Sequence, residues 1–250
     1  MTRPIYPLIA TSFLLSLVLS PWSYSDDHAA TAPATSHAAA HGTLGVAPDQ
    51  MLSDLKAGNQ RFIDDQSQHT HQNSVRRKEL IHGQKPGAIV LSCSDSRVPP
   101  EVIFDQGLGD IFTIRVAGNI LGAATVASIE YAVEHLGTRL IVVMGHESCG
   151  AVSAALKTPV GKTAGSPDLD SLISTIQGNL TPDGSGDGAT RALASATTDK
   201  TLRQPVMRNV DAVVKSLKQR SRIVSHAIEE GKVQVVPAIY GLESGKVDFF

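Results

Sequence analysis

Cys93, His146 and Cys149 are the residues in this chain whose types and spacing point to chemistry. Two thiolates and an imidazole are a common ligand set for zinc, with a fourth position left for water or another ligand. The cysteines are the only two in the chain, so in an oxidising compartment a disulfide between them is the competing reading. Their neighbours decide against it. A structural bridge has no use for His146 three residues before one cysteine, nor for Asp95 and Arg97 on alternate positions after the other. A metal site uses them all, and coordination would protect the thiolates, although the metal-free form stays open to oxidation.

Each half of this constellation follows an apolar run. Ala88-Ile-Val-Leu91 is rich in β-formers and bounded by Gly87 behind and Pro99-Pro100 ahead, which predicts a buried strand ending at Cys93. Leu140-Ile-Val-Val-Met144 leads in the same way into Gly145-His-Glu-Ser-Cys-Gly150. In open α/β sheets ligands sit beyond the carboxyl ends of the strands, where the two stretches would converge. Gly122–Leu136 predicts a helix, with Val126, Ile129, Val133 and Leu136 on one face and Gly137 as its stop. It completes a strand–helix–strand unit with a right-handed parallel crossover. Ile111–Val116 and Val233–Ile239 read as further strands, and Lys246–Phe250 as a short edge strand. Helices are expected from Pro48 to Phe62, from Val206 to Leu217 and from Ile223 to Glu230, with a short one in the polar stretch before Gly83. The fold class is α/β: a mainly parallel sheet flanked by helices.

Cys93-x-Asp95-x-Arg97, followed by His146-x-x-Cys149, resembles the β-class carbonic anhydrases. Ser94-Asp-Ser-Arg-Val-Pro-Pro-Glu101, Ile114-Arg-Val-Ala-Gly-Asn119 and Gly145-His-Glu-Ser-Cys-Gly-Ala-Val152 carry the resemblance further. It runs from around Asp49 to the C-terminus. It implies one zinc per chain on Cys93, His146 and Cys149, and reversible hydration of carbon dioxide to bicarbonate and a proton. Zinc lowers the pKa of bound water from ~15.7 to roughly 7, so the attacking group would be a zinc-bound hydroxide.

Asp95 lies two residues after Cys93, so at an extended strand end it points to the same side. Its carboxylate is placed to accept the hydroxide's proton and aim a lone pair at the carbon. Arg97, two further on, is suited to hold that carboxylate in a forked pair. The resemblance adds Gln84, which in the family reaches a substrate oxygen in the neighbouring subunit's site. Phe112 and Tyr131 match positions lining the carbon dioxide pocket, where periodicity alone would make them core. Gly150 matches a backbone amide donor. A homodimer or tetramer is implied, with the first helix packed on the neighbouring subunit. The family also has an inactive state with the aspartate as fourth zinc ligand. Its bicarbonate-inhibited subtype uses a Trp three residues before the first cysteine, where this chain has Val90; its only Trp is Trp22. Arg115 does match that subtype's arginine, but the expectation is the open form, with Asp95 off the metal.

The remainder of the chain bears on domain organisation and compartment. With 250 residues and 42% hydrophobic content the chain can bury one full core. A net charge of −2 lacks the basic footprint of nucleic-acid binding. Arg3, the apolar Leu8–Leu19 run and the small residues Ser23 and Ser25 predict a signal peptide, residues 1–25, cleaved after Ser25. No cysteine sits near the cleavage point, so no membrane anchor is indicated, and export in a bacterium leads to the periplasm. Residues 26–47 read as a disordered Ala/His-rich leader, and 48–250 as the zinc domain. His28, His37 and His41 repeat no ligand spacing and read as a solvated tail. The text loosens from Lys157 to Lys200. Pro182-Asp-Gly-Ser-Gly-Asp-Gly188 begins like a calcium loop, but Ala194 stands where a closing Glu is needed, so a flexible loop between helices is expected.

Three other functions use part of this pattern. Hydrolysis of carbon disulfide or carbonyl sulfide needs the same ligands with altered access, which the 157–200 segment could gate. A non-catalytic periplasmic zinc-binding protein would need neither Asp95 nor Arg97. A dinucleotide-binding protein would need a G-x-G-x-x-G after the first strand, and none is there.

Overall fold

The computed structural model describes residues 45–181 and 200–250. The apolar runs become strands β1 (Ala88–Ser92), β2 (Ile111–Arg115), β3 (Leu140–His146) and β4 (Gln234–Tyr240), with β5 (Val247–Phe249) at the end. They form one sheet in the order β2-β1-β3-β4-β5, parallel except for β5. β1 and β3 are buried along their whole length, as central parallel strands with helices on both faces must be. Alternate side chains divide between two cores. Ala88, Val90, Leu140, Val142 and Met144 face one, while Ile89, Leu91, Ile141 and Val143 face the other.

The first core is closed by α1 (Pro48–Ile63), α3 (Pro100–Ile103), α5 (Gly150–Lys157) and α6 (Pro167–Leu180). The second is closed by α4 (Ala123–Leu136), α7 (Arg203–Arg220) and α8 (Arg222–Glu229). The short α2 (Ser74–Glu79) occupies the polar stretch and is capped by Asn73. Helix α4 has Gly122 as N-cap and a left-handed Gly137 as C-cap, matching its sequence signals. The α7–α8 break falls at buried Ser221, whose hydroxyl caps Val224 N–H and bonds Glu130. Among the described residues no helix is long and apolar enough to cross a membrane.

One expectation needs correction. Part of the loose 157–200 stretch is helix α6, which Ser166 caps through Leu169 N–H, with Pro167 opening its first turn. Its buried stripe, Ile173, Ile176, Gln177 and Leu180, was readable but is diluted by polar residues. Gly45, among the last residues read as leader, donates its N–H to Gly137 O at 3.2 Å. The expected signal peptide, the leader histidines and the loop expected at 182–188 lie outside the described residues.

Behind α1, Asp105 is a buried carboxylate with no exposed side-chain surface. Burial would push its pKa up. The Gln68 and His69 amides and Arg61 Nε, at 2.6 Å, outweigh that and hold it below the usual carboxylate range. A carboxyl that titrates lower folded than unfolded stabilises fully above ~pH 4 and loses that contribution as pH falls through its folded value. Asp105→Asn should therefore cost about 1–3 kcal/mol at neutral pH, with the gap to wild type narrowing below ~pH 4. Urea unfolding at both pH values measures it; a gap independent of pH would refute the assignment.

Candidate active site

The carboxyl edges of β1 and β3 lie side by side, with Ser92 opposite Met144. Cys93 is the first residue past β1, His146 ends β3, and Cys149 is the N-cap of α5. Their ligand atoms all lie within 4.8 Å of one another, and all three residues are buried. Both cysteines are free thiols.

The three donors are individually prepared. His146 Nδ1 lies 2.8 Å from the Glu147 carbonyl, which can only accept, so the ring proton belongs on Nδ1. That leaves Nε2 with a bare lone pair, and it is a buried atom without a hydrogen-bond partner. The amides of Val152 and Ala151 at the start of α5 point to Cys149 sulfur. Gly118 N–H donates to Cys93 Sγ at 3.3 Å. A hydrogen bond from the Cys149 thiol lowers Cys93 to about 4 against its burial, helped by His146 and nearby amides. The same hydrogen bond, with burial, drives Cys149 upward. Two sulfurs thus stand beside an unpaired imidazole nitrogen. A metal cation fits that donor set, because it pairs with both sulfurs as thiolates and satisfies Nε2.

Asp95 stands beside the donors. Arg97 Nε donates to its Oδ1 at 2.9 Å, Arg97 Nη2 to its Oδ2 at 2.8 Å, and Arg97 N–H to Oδ1 at 3.0 Å. The Arg97 hydrogen bonds keep the carboxyl ionised, well below the usual range. Oδ2 is 3.9 Å from His146 Nε2, so the fork leaves one carboxylate oxygen facing the donors.

The other sequence-named residues are placed differently. Gly150 opens α5 next to Cys149, with its backbone exposed. Gln84 precedes β1 and is exposed, at the opposite end of that strand from Cys93. Phe112 packs against the second core, across the sheet from Cys93, and its ring centroid lies 6.5 Å from that of Tyr131 on α4. Tyr131 is 50% exposed. Within one chain, therefore, Gln84, Phe112 and Tyr131 do not meet the donors. Arg115 clamps the Cys93 loop from below, with Nε donating to Cys93 O at 3.1 Å and Nη2 to Asp95 O. Val90 is fully buried. Sequence reasoning missed the Gly118 amide and the Glu147 carbonyl, which act through backbone atoms. The Gly118-Asn119 turn pair was the only hint of either.

A carbonic anhydrase family profile matches residues 88–247. "Carbonic anhydrase 2" of Mycobacterium tuberculosis is 38% identical over 192 residues, 77% of this chain and 87% of that protein. The chain belongs to the β-class carbonic anhydrases. A carbonic anhydrase of Mycolicibacterium smegmatis is 37% identical over 194 residues, 78% of this chain and 89% of its own length. Among solved structures, a tetrameric β-carbonic anhydrase of the ascomycete Sordaria macrospora superposes with TM-score 0.62 at 27% identity, over 81% of this chain and 97% of its own. This enzyme is accordingly a carbonic anhydrase, with a Cys/His/Cys cluster able to hold a metal.

Because the sulfurs are adjacent but unbonded, protein denatured without reductant and with a chelator should yield two titratable thiols per chain. A yield of none, restored by reduction, would show a Cys93–Cys149 disulfide and remove the metal site.

Proposed function

We propose that this carbonic anhydrase hydrates carbon dioxide reversibly to bicarbonate and a proton, using one zinc ion per chain held by Cys93, His146 and Cys149. The bare, buried Nε2 of His146, within 4.8 Å of both sulfurs, carries this reading. When bound, zinc supplies the Lewis acidity that makes water a nucleophile near neutral pH. The chain's own residues do the orienting. Asp95 Oδ2 accepts a hydrogen bond from the attacking oxygen and so turns a lone pair toward the carbon. Arg97 fixes the carboxylate plane through two donors and keeps Asp95 from swinging onto the metal. Arg115 holds the backbone of that loop in place. Glu147 O fixes the His146 tautomer. The fork also favours catalysis over zinc storage, which needs neither Asp95 nor Arg97, and nothing at the site favours sulfur-containing substrates.

Gln84, Phe112, Tyr131 and the Gly150 amide complete the substrate pocket in a dimer or tetramer, the first three supplied by a second copy. Their placement away from their own chain's donors supports this, as does the tetrameric Sordaria relative. Export to the periplasm follows from the N-terminal pattern and suits an enzyme that equilibrates carbon dioxide and bicarbonate in the cell envelope. Envelope-fraction protein should begin near Asp26 and scatter light as an oligomer. An intact Met1 in the active pool would overturn the location, and a monomer the shared pocket.

Asp95→Asn keeps the size and removes the negative acceptor, so zinc should stay while turnover falls. A hydrogen bond to a charged group is worth ~1.5–3 kcal/mol, roughly ten- to over a hundredfold in rate. Arg97→Ala should do similar damage by freeing Asp95, and the double mutant should be far from additive because both disable one unit. Hydration rate and zinc content of the three variants decide it. Near-wild-type turnover in zinc-loaded Asp95→Asn would leave the carboxylate without this role.

A further inference from the structure

Helix α7 carries a buried polar side chain that the reaction as described does not use. Asn209 has no exposed surface and sits in a row with Val206, Val210 and Val213 against the sheet. A buried amide amid valines is costly unless its donors and acceptor are satisfied. Its Nδ2 donates to Gly118 O at 2.9 Å, and its Oδ1 accepts from Asn179 Nδ2 of α6 at 2.8 Å. Gly118 is the residue whose N–H donates to Cys93 Sγ. Its two backbone polar groups are thus taken by Asn209 on one side and by the sulfur on the other.

The turn in between, closed by Asn119 N–H donating to Val116 O at 3.0 Å, is held in a strained shape. Gly118 is left-handed at φ 65, ψ 19, and Asn119 follows at φ 43, a conformation that costs a non-glycine residue energy. A Cβ on Gly118 would lie 2.8 Å from Ile176 Cδ1 and 3.3 Å from Ala151 Cβ, so α6 and α5 press directly on this turn. The two groups lie on the two peptide planes that meet at Gly118 Cα, so anchoring the carbonyl to Asn209 restricts the Gly118 φ and ψ that aim its N–H at the sulfur. The Asn179 contact orients the Asn209 amide, because only Oδ1 can accept that N–H.

We propose that Asn209 is a positioning residue for the metal centre: by anchoring the Gly118 carbonyl it holds the Gly118 N–H on Cys93 sulfur, with Asn179 setting its orientation. The assignment rests on the metal reading above. An amide donor to a ligating thiolate withdraws charge from the sulfur, and such outer hydrogen bonds typically change metal affinity or activity by 10–100-fold.

Cadmium-113 bound to the full-length protein reads the sulfur environment directly. Asn209→Leu, close in size but without donor or acceptor, should shift the cadmium resonance and weaken zinc binding by about tenfold or more in a chelator competition. Asn179→Ala should shift the resonance the same way by less. Val213→Ala, on the same helix face, should lower the melting temperature and leave the resonance in place. Should Asn209→Leu not fold, the Asn179→Ala resonance decides alone: a shift supports the relay and an unchanged resonance overturns it. If Asn209→Leu folds and lowers only the melting temperature, with resonance and zinc affinity unchanged, Asn209 is merely structural and the inference falls while the metal site stands. Wild-type protein that takes up no cadmium or zinc would overturn both.

Discussion

Parallel pairing of β1 with β3 is the interaction on which the site depends. The register that sets Ser92 opposite Met144 places Cys93 and His146 at one sheet edge, on strands fully buried between two helical layers. Side chains alternate along a strand, so a slip of one residue would turn His146 to the other face and split the donor set. Close packing on both faces opposes such a slip, because Gly145 alone leaves room for Val206 and Val210. Leu140, Ile141, Val142 and Val143 have no exposed surface, and each contributes roughly 1.5–3 kcal/mol when buried.

Around that edge the chain uses helix starts and backbone amides rather than charged side chains to manage two sulfurs. Cys149 sits where α5 begins, and Cys93 beneath the Gly118 turn, so each sulfur meets N–H donors in a buried setting. The formal charges stand one shell out, in the Asp95–Arg97 fork and the Arg115 clamp. Burial keeps the donors dry and reactive toward a cation, while the fork remains partly wet and free to meet substrate. Helix α7 belongs to both layers. Val206 and Val210 press so closely on Gly145 that a Cβ there would lie 2.5 Å from Val206 Cγ1, which seats the strand just before His146.

Local signals were most legible where one residue type does one job. The strands before Cys93 and His146, the Gly137 cap and the edge strand at the C-terminus were read from hydrophobic runs and punctuation, to within a residue or two. Helix α6 was not, because its apolar stripe is sparse and lies beside a Gly-rich stretch that biases the reading toward loop. The break between α7 and α8 depends on Ser221 finding Glu130, a partner far away in the chain.

What the sequence determined by itself was the set of candidate metal donors and the carboxylate–guanidinium pair, because those groups need particular atoms at particular spacings: Cys93, Asp95, Arg97, His146 and Cys149. It also determined the α/β class, because buried parallel strands need long apolar runs. The tertiary structure alone decided which backbone groups serve the donors, since any residue can present an amide or a carbonyl. Gly118 N–H and Glu147 O are recognisable only once the turns are built. It alone decided that Phe112 and Tyr131 face away from their own chain's donors, because the side of a sheet on which an aromatic falls follows from register and crossover, not from its identity.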